Sequence, residues 1–198
     1  MNRKQHGCAG KPEQTSPDAA ENKPAAAAVI DAADLVGQGL HQQQAGRLAE
    51  AEALYRRVLA QQPDHADALH LLGLVAHQSG QHGAAVELIG QAITQNPRNP
   101  IYFSNLGIAL KYLGRLQEAI AAYREAIRIE PGYAEAIYNC ANALKEMRRL
   151  DEALASYDRA LALRPDYAAA LLNRGLVLQE LRRPGEALQA ELAGVERC

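Results

Sequence analysis

A period of 34 residues runs through most of this chain. The prolines that recur at this interval are Pro63, Pro97, Pro131 and Pro165. A column of alanines has the same spacing: Ala51, Ala85, Ala119, Ala153 and Ala187. Small residues form a third column, at Gly39, Gly73, Gly107, Ala141 and Gly175, and large ones a fourth, at Tyr55, Ile89, Tyr123 and Tyr157. Columns in phase over successive periods predict a solenoid of stacked units.

The composition predicts that each unit is helical. Hydrophobic residues make up 48% of the 198 residues, whereas aromatic residues make up 5%, with no Trp and one Phe. Much of the apolar content is Ala and Leu, which favour helices, and Val and Ile are scattered singly, unlike in strands. We therefore predict an all-α solenoid of about five antiparallel helix-turn-helix hairpins. The predicted units span about 32–65, 66–99, 100–133, 134–167 and 168–198, the last incomplete.

The first 28 residues differ from the rest of the chain. They are rich in Lys, Glu, Gln, Pro and Ala, and they show no apolar periodicity. Pro12, Pro17 and Pro24 would interrupt any helix that began there. We predict a disordered leader over 1–28 and the solenoid over 29–198.

The third unit illustrates the pattern within one period. Its first helix is predicted over about 101–113, with one apolar stripe at Phe103, Leu106, Leu110 and Leu113. Gly114 can adopt the left-handed conformation that ends this helix. The second helix is predicted over about 116–129, and Pro131 stops it.

This pattern resembles the tetratricopeptide repeat family. The third unit carries the residues characteristic of the family in order. They are a large apolar residue, Leu, Gly, an apolar residue, Ala, Tyr, Ala and Pro, at Phe103, Leu106, Gly107, Leu110, Ala119, Tyr123, Ala126 and Pro131. The resemblance covers about residues 32–198 and implies a right-handed superhelix whose first helices line a concave groove. It also implies a protein-interaction scaffold or adaptor, and not an enzyme, that holds an extended peptide or a partner helix in this groove.

The fifth unit departs from the family pattern. Glu191 replaces the aromatic residue, Gly194 replaces the small Ala, and the chain ends at Cys198. One interpretation is a polar capping helix, which a solenoid needs at its end. Another is the truncated product of a longer array.

The resemblance also locates groove residues. The sixth position of the last three units carries Asn105, Asn139 and Asn173. A carboxamide both donates and accepts hydrogen bonds, so this series can hold a peptide backbone without reading its side chains. It is similar to the asparagine ladder in the tetratricopeptide superhelix of O-linked N-acetylglucosamine transferases, although Asn is also common at this site across the family. Asn142 extends the polar strip, and further groove contacts are predicted for Lys111, Lys145, Tyr112 and Tyr138.

Some family members bind a terminal carboxylate through Lys at the second position of the unit. Here that position carries Ala33, Asp67, Ile101, Glu135 and Ala169. Without these lysines, we expect no binding of chaperone C-terminal tails.

The chain shows no pattern that predicts catalysis, a cofactor or a metal site. His65, His70, His77 and His82 cluster in the second unit, but none has the three- or four-residue spacing of metal ligands on one helix. We interpret them as solvated groove or loop residues. Cys140 occupies a packing position and is expected to be buried and inert.

Charge and cysteine usage narrow the possible partners and location. A net charge of −2 offers no basic field for nucleic acid, and no apolar stretch is long enough for a membrane span. Cys8, Cys140 and Cys198 show no paired spacing, which fits a cytoplasmic protein with free thiols.

Three hypotheses for function remain open from the sequence. The first is a free-standing adaptor that binds another protein. The second is a detached or truncated substrate-recognition region of a glycosyltransferase similar to the O-linked N-acetylglucosamine transferases. The third is a structural module that self-associates through its C-terminal unit.

Overall fold

The structure, a computed structural model, describes residues 31–181. These residues form helices of alternating length, 13 and 14 residues, joined by short turns. The helices are α1 Ala32–Gln44, α2 Leu48–Gln61, α3 Ala66–Gln78, α4 His82–Gln95, α5 Pro100–Tyr112, α6 Leu116–Ile129, α7 Ala134–Glu146, α8 Leu150–Leu163 and α9 Ala168–Glu180. The predicted leader and the second helix of the fifth unit lie outside the described residues.

Helices α1, α3, α5 and α7 each form a hairpin with the even-numbered helix that follows, and these hairpins and α9 stack in chain order. Consecutive odd-numbered helices also contact one another, whereas within residues 31–181 the even-numbered helices do not. The odd-numbered helices therefore lie on the inner side of the curved array, and the even-numbered helices lie on its outer side. This arrangement is the predicted all-α solenoid.

The turn inside each hairpin depends on a left-handed residue. Gly46, Gly80 and Gly114 have φ angles of 76°, 78° and 73° and follow the first helices of the first three hairpins. The fourth hairpin has Arg148 in the equivalent place, with φ 62°. A side chain is strained in this conformation, so Arg148 is an exception that the sequence pattern did not single out.

Small and large residues alternate inside the hairpins as the 34-residue columns predict. The alanines Ala51, Ala85, Ala119 and Ala153 are fully buried where the two helices of a hairpin approach each other. One turn further along the same helices, Tyr55, Ile89, Tyr123 and Tyr157 are also buried. The interior is therefore a continuous apolar layer between the two sets of helices.

The predicted stripe of the third unit is partly wrong. Leu110 is buried, but Leu113 is 41% exposed, because the helix ends at Tyr112 and Leu113 is its C-terminal cap. Tyr102 is buried instead, with 1% exposure. Since α5 contacts α3, α4, α6 and α7, more than one of its faces is covered. A single apolar stripe therefore does not account for its buried residues.

Cys140 lies on α7 and is 4% exposed, as expected for a packing residue. Burial raises the pKa of its thiol. Such a thiol carries little thiolate at neutral pH and is a poor nucleophile. Each helix among residues 31–181 is also too short or too polar to cross a bilayer.

Candidate functional site

The inner face of the array is formed by the odd-numbered helices, and it exposes large apolar side chains. In the described part of the chain, those on the odd-numbered helices are Leu40, Ile101, Tyr112, Leu172 and Leu176. Leu172 is 67% exposed and Tyr112 is 63% exposed. Exposed apolar side chains that share one face favour a surface for a partner.

Neighbouring odd-numbered helices are linked by hydrogen bonds between residues that are 35 positions apart. The bonded pairs are Gln43–Gln78, Asp67–Tyr102, His70–Asn105, Lys111–Glu146 and Tyr138–Asn173. Equivalent positions are 34 residues apart, so each bond joins one position to the next position of the following unit. Consecutive residues of a helix point about 100° apart, so each bond joins side chains on the facing sides of two neighbouring helices.

Asn173 is the centre of a hydrogen-bonded network that joins four predicted site residues. Its Nδ2 donates to the Tyr138 hydroxyl and to Asn142 Oδ1, at 3.0 Å each. Its Oδ1 accepts from Lys145 Nζ at 3.2 Å. Tyr157 also donates its hydroxyl to Asn142 Oδ1 at 2.6 Å, which ties the network to α8. The Asn173 amide is thus occupied by its neighbours.

Asn105 is bonded to a histidine that the sequence analysis placed in solvent. Asn105 Nδ2 lies 2.8 Å from His70 Nε2, and the His70 ring stacks on Tyr102 with centroids 4.5 Å apart. His70 is only 7% exposed, so its interpretation as a solvated residue was wrong. Burial lowers its pKa to about 4, although the nearby Asp67 carboxylate acts in the opposite direction. His70 is therefore neutral at pH 7 and serves as a partner for Asn105.

Asn139 differs from the other two asparagines of the series. It is half-buried on α7, and within residues 31–181 its amide makes no hydrogen bond. The described structure thus leaves this carboxamide available to a ligand. Lys111, by contrast, forms an ion pair with Glu146 at 3.1 Å, so its charge is already balanced.

The edge of the inner face between α7 and α9 carries a group of aromatic and charged residues, of which only Tyr138 was predicted from the sequence. The rings of Tyr138 and Tyr167 have centroids 4.8 Å apart, and the Arg164 guanidinium lies 4.6 Å from the Tyr167 centroid. Arg164 donates to the Glu135 carboxylate, which lowers the pKa of Glu135. A cleft of about 450 Å³ opens beside this pair, with Ile101 and Leu163 on its walls. The 34-residue columns cannot reveal this group of residues, because its members occupy different positions of different units.

Among the described residues, no group of three or more His, Cys, Asp or Glu side chains is placed to hold a metal ion. Buried side-chain nitrogen and oxygen atoms in this part of the chain all have hydrogen-bond partners. The inner face within residues 31–181 carries hydrogen bonds, exposed apolar side chains and the Lys111–Glu146 ion pair.

Sequence comparison connects this geometry with known repeats. Two models of the tetratricopeptide repeat match the chain, one at residues 36–100 and 78–134 and the other at residues 112–175. No curated protein matches it.

Solved structures with the same fold have low sequence identity to the chain. MamA is 23% identical with a TM-score of 0.75, covering 80% of this chain and 92% of its own. PilF of Pseudomonas aeruginosa is 22% identical with a TM-score of 0.77, covering 83% of this chain and 75% of its own. YrrB, described as a tetratricopeptide repeat protein with an unusual peptide-binding site, is 22% identical with a TM-score of 0.70, covering 84% of this chain and 86% of its own. These similarities establish the fold.

Proposed function

Because the chain belongs to the tetratricopeptide repeat family, we propose that it is an interaction scaffold that binds an extended peptide of a partner protein on its inner face. The observation that carries this proposal is the Asn139 amide, which has no hydrogen bond within residues 31–181 although both neighbouring asparagines of the series are bonded. A carboxamide in this position can donate to a peptide carbonyl and accept from a peptide N–H.

The surroundings of Asn139 favour a peptide with apolar side chains. The helices on either side of α7 expose Tyr112 and Ile101 on α5, and Leu172 and Leu176 on α9. A peptide that crosses α7 would place apolar side chains against these residues and its backbone against Asn139. Burial of each such side chain contributes roughly 1.5–3 kcal/mol, more than one hydrogen bond does. The apolar contacts would then supply most of the binding free energy. The hydrogen bonds to the Asn139 amide would fix the register of the peptide on the inner face.

An extended peptide suits this amide better than a partner helix does. The backbone groups of a helix are already paired within the helix, whereas an extended segment leaves N–H and C=O groups for an asparagine to bond. YrrB, which has the same fold, is described by its peptide-binding site, and this likeness supports a peptide as the ligand class.

The experiment selects a ligand first and then tests the site. A phage-displayed peptide library is selected on the full chain, and an enriched peptide is titrated by fluorescence anisotropy. We expect Asn139→Ala to weaken binding of that peptide by about 1 kcal/mol, or roughly fivefold, because one amide contact is lost. The matched control is Gln91→Ala, since Gln91 is an exposed carboxamide on the outer helix α4.

The proposal fails if the library yields no peptide that binds the folded chain, or if the selected peptides bind Asn139→Ala and wild type equally. It also fails if Gln91→Ala has the same effect as Asn139→Ala. Unchanged far-ultraviolet circular dichroism of both variants would show that any loss of binding is local.

The other two hypotheses stay predictions. Sequence downstream of the coding region for Cys198 would test a link to a glycosyltransferase domain. Sedimentation over a range of concentrations would test self-association. Cell fractionation would test the expected cytoplasmic location.

A further inference from the structure

Two histidines meet across the turn between α3 and α4. His77 lies in the last turn of α3, and His82 is the first residue of α4. Their Nδ1 atoms are 3.0 Å apart, and both side chains are half-buried. Because His77 and His82 are five residues apart on two different helices, their proximity is not visible from spacing along one helix.

The two rings are held in this position by a third. Tyr112 on α5 packs against both, with centroid distances of 4.9 Å to His77 and 4.9 Å to His82. The two imidazole centroids are 4.7 Å apart and their planes are inclined by 50°, so the rings meet at an angle and not end to end. Two imidazole nitrogens that meet at an angle in a supported position are the geometry of a chelate.

We propose that His77 and His82 form a two-imidazole site for a divalent transition-metal ion, with Cu²⁺ as the best fit. This inference does not depend on the proposed peptide binding. It concerns a pair of ligands, and no third acidic, cysteine or histidine side chain completes the site in the described residues. The remaining coordination positions would be taken by water or by donors from another molecule.

The distance between the nitrogens fits a chelate, and the affinity of imidazole nitrogens favours copper over zinc. Two nitrogens that are each about 2.0 Å from a metal ion lie about 2.8 Å apart at a right angle and about 3.3 Å apart at the tetrahedral angle. The observed 3.0 Å lies between these two values and fits either geometry. Cu²⁺ is the best fit because it binds nitrogen ligands more tightly than other divalent ions of its row do. At present one ring donates a hydrogen bond from its Nδ1 to the Nδ1 of the other ring. To bind an ion, the donor ring must carry its proton on Nε2 instead, which leaves its Nδ1 free as a ligand.

The experiment measures Cu²⁺ and Zn²⁺ binding to the full chain by competition with a chromogenic chelator. We expect His77→Gln and His82→Gln each to weaken the tightest Cu²⁺ site by roughly tenfold or more, since a chelate loses one of its two nitrogens. His41→Gln is the matched control, because His41 is exposed on the inner-side helix α1. Wild type should bind Zn²⁺ more weakly than Cu²⁺ at the same site.

Two further readouts separate a local loss from misfolding. Electron paramagnetic resonance of the Cu²⁺ complex should show coupling to two imidazole nitrogens in wild type and to one in either variant. Cu²⁺ should raise the melting temperature of wild type, since it binds the folded hairpin, and should raise that of the variants less.

The proposal is overturned if wild type, His77→Gln and His82→Gln bind Cu²⁺ with equal affinity and stoichiometry. It is also overturned if His41→Gln reduces binding as much as they do. If Cu²⁺ bound to other histidines of the chain instead, one of these two results would be observed.

Discussion

The ring of Tyr123 lies directly against the backbone of Gly107, so closely that a Cβ atom on Gly107 would be 2.6 Å from Tyr123 Cε1. The same relationship joins Gly39 to Tyr55, where the distance would be 2.4 Å. The small residue of one helix and the large residue of the other therefore form a single packing unit in these hairpins.

This contact predicts that Gly107→Ala destabilises the protein. The added methyl must displace a fully buried ring, which should lower the free energy of unfolding by about 1–3 kcal/mol, measured by urea denaturation. We expect the lower end of this range, because the fourth hairpin accommodates Ala141 at the equivalent position opposite Tyr157.

Gly90→Ala is the matched control for this substitution. Gly90 is inside α4, and a Cβ there would meet nothing within 4 Å. Alanine should therefore raise the free energy of unfolding by roughly 0.5–1 kcal/mol through helix propensity. Effects of the same sign for the two variants would contradict the packing argument.

A second prediction concerns Arg148, whose φ of 62° is one that glycine adopts in the other three hairpins. Arg148→Gly should stabilise the protein by about 1 kcal/mol, because the left-handed strain is removed. The ion pair of Arg148 with Glu180 is solvent-exposed and contributes little to offset this gain. Gly114→Arg, the reverse change at the equivalent turn, should lower the melting temperature. If Arg148→Gly melts at a lower temperature than wild type, the strain is not the dominant effect.

A third prediction separates two asparagines that the sequence analysis treated as equivalent. Asn173→Ala removes partners from Tyr138, Asn142 and Lys145, so it should lower the free energy of unfolding by about 1–2 kcal/mol. Asn139→Ala breaks no hydrogen bond within the described residues, and its effect should be within about 0.5 kcal/mol of zero. Chemical denaturation of the two variants side by side tests this difference, and equal losses would contradict it.

A fourth prediction is a pH dependence that arises from His70. Burial lowers its pKa from 6.5 to about 4, so below pH 6.5 the unfolded chain binds more protons than the folded chain does. Stability should therefore fall as the pH decreases from 6.5 towards 4, by about 2 kcal/mol at about pH 5. Denaturant titrations at pH 7, 6 and 5 measure this change.

His70→Gln is the control for the pH prediction. Glutamine does not titrate in this range but retains a group that can bond Asn105. The variant should lose most of the slope between pH 6.5 and 5, whatever its stability at pH 7. An unchanged slope would assign the pH dependence to other groups, such as His77, whose pKa is also lowered by burial and by His82.

The helical architecture could be predicted from the sequence to within a residue or so. The second helix of the third unit was predicted over 116–129 and is Leu116–Ile129, and the first begins and ends one residue earlier than predicted. Such accuracy is possible because the signals are local: prolines and glycines end the helices, and the spacing of small and large residues sets the hairpin. Arg148 was missed because the turn there has no glycine to mark it.

The inner face could be predicted only in part. The asparagine positions were found from the 34-residue period, but their different states, bonded for Asn105 and Asn173 and available for Asn139, depend on residues of the neighbouring hairpin. The burial of His70 has the same origin, since the ring that covers it is Tyr102 of the next unit.

The sequence by itself determined the repeating hairpin, because the columns of proline, small and large residues recur in each of the first four units. Only the tertiary structure decided how one hairpin meets the next. Five hydrogen bonds along the inner face join residues 35 positions apart, and Asn173 also bonds residues 31 and 28 positions away. These pairs form because side chains meet across the facing sides of neighbouring helices. The sequence period describes one unit by itself, whereas the contacts between units follow from the shapes of the two surfaces that meet.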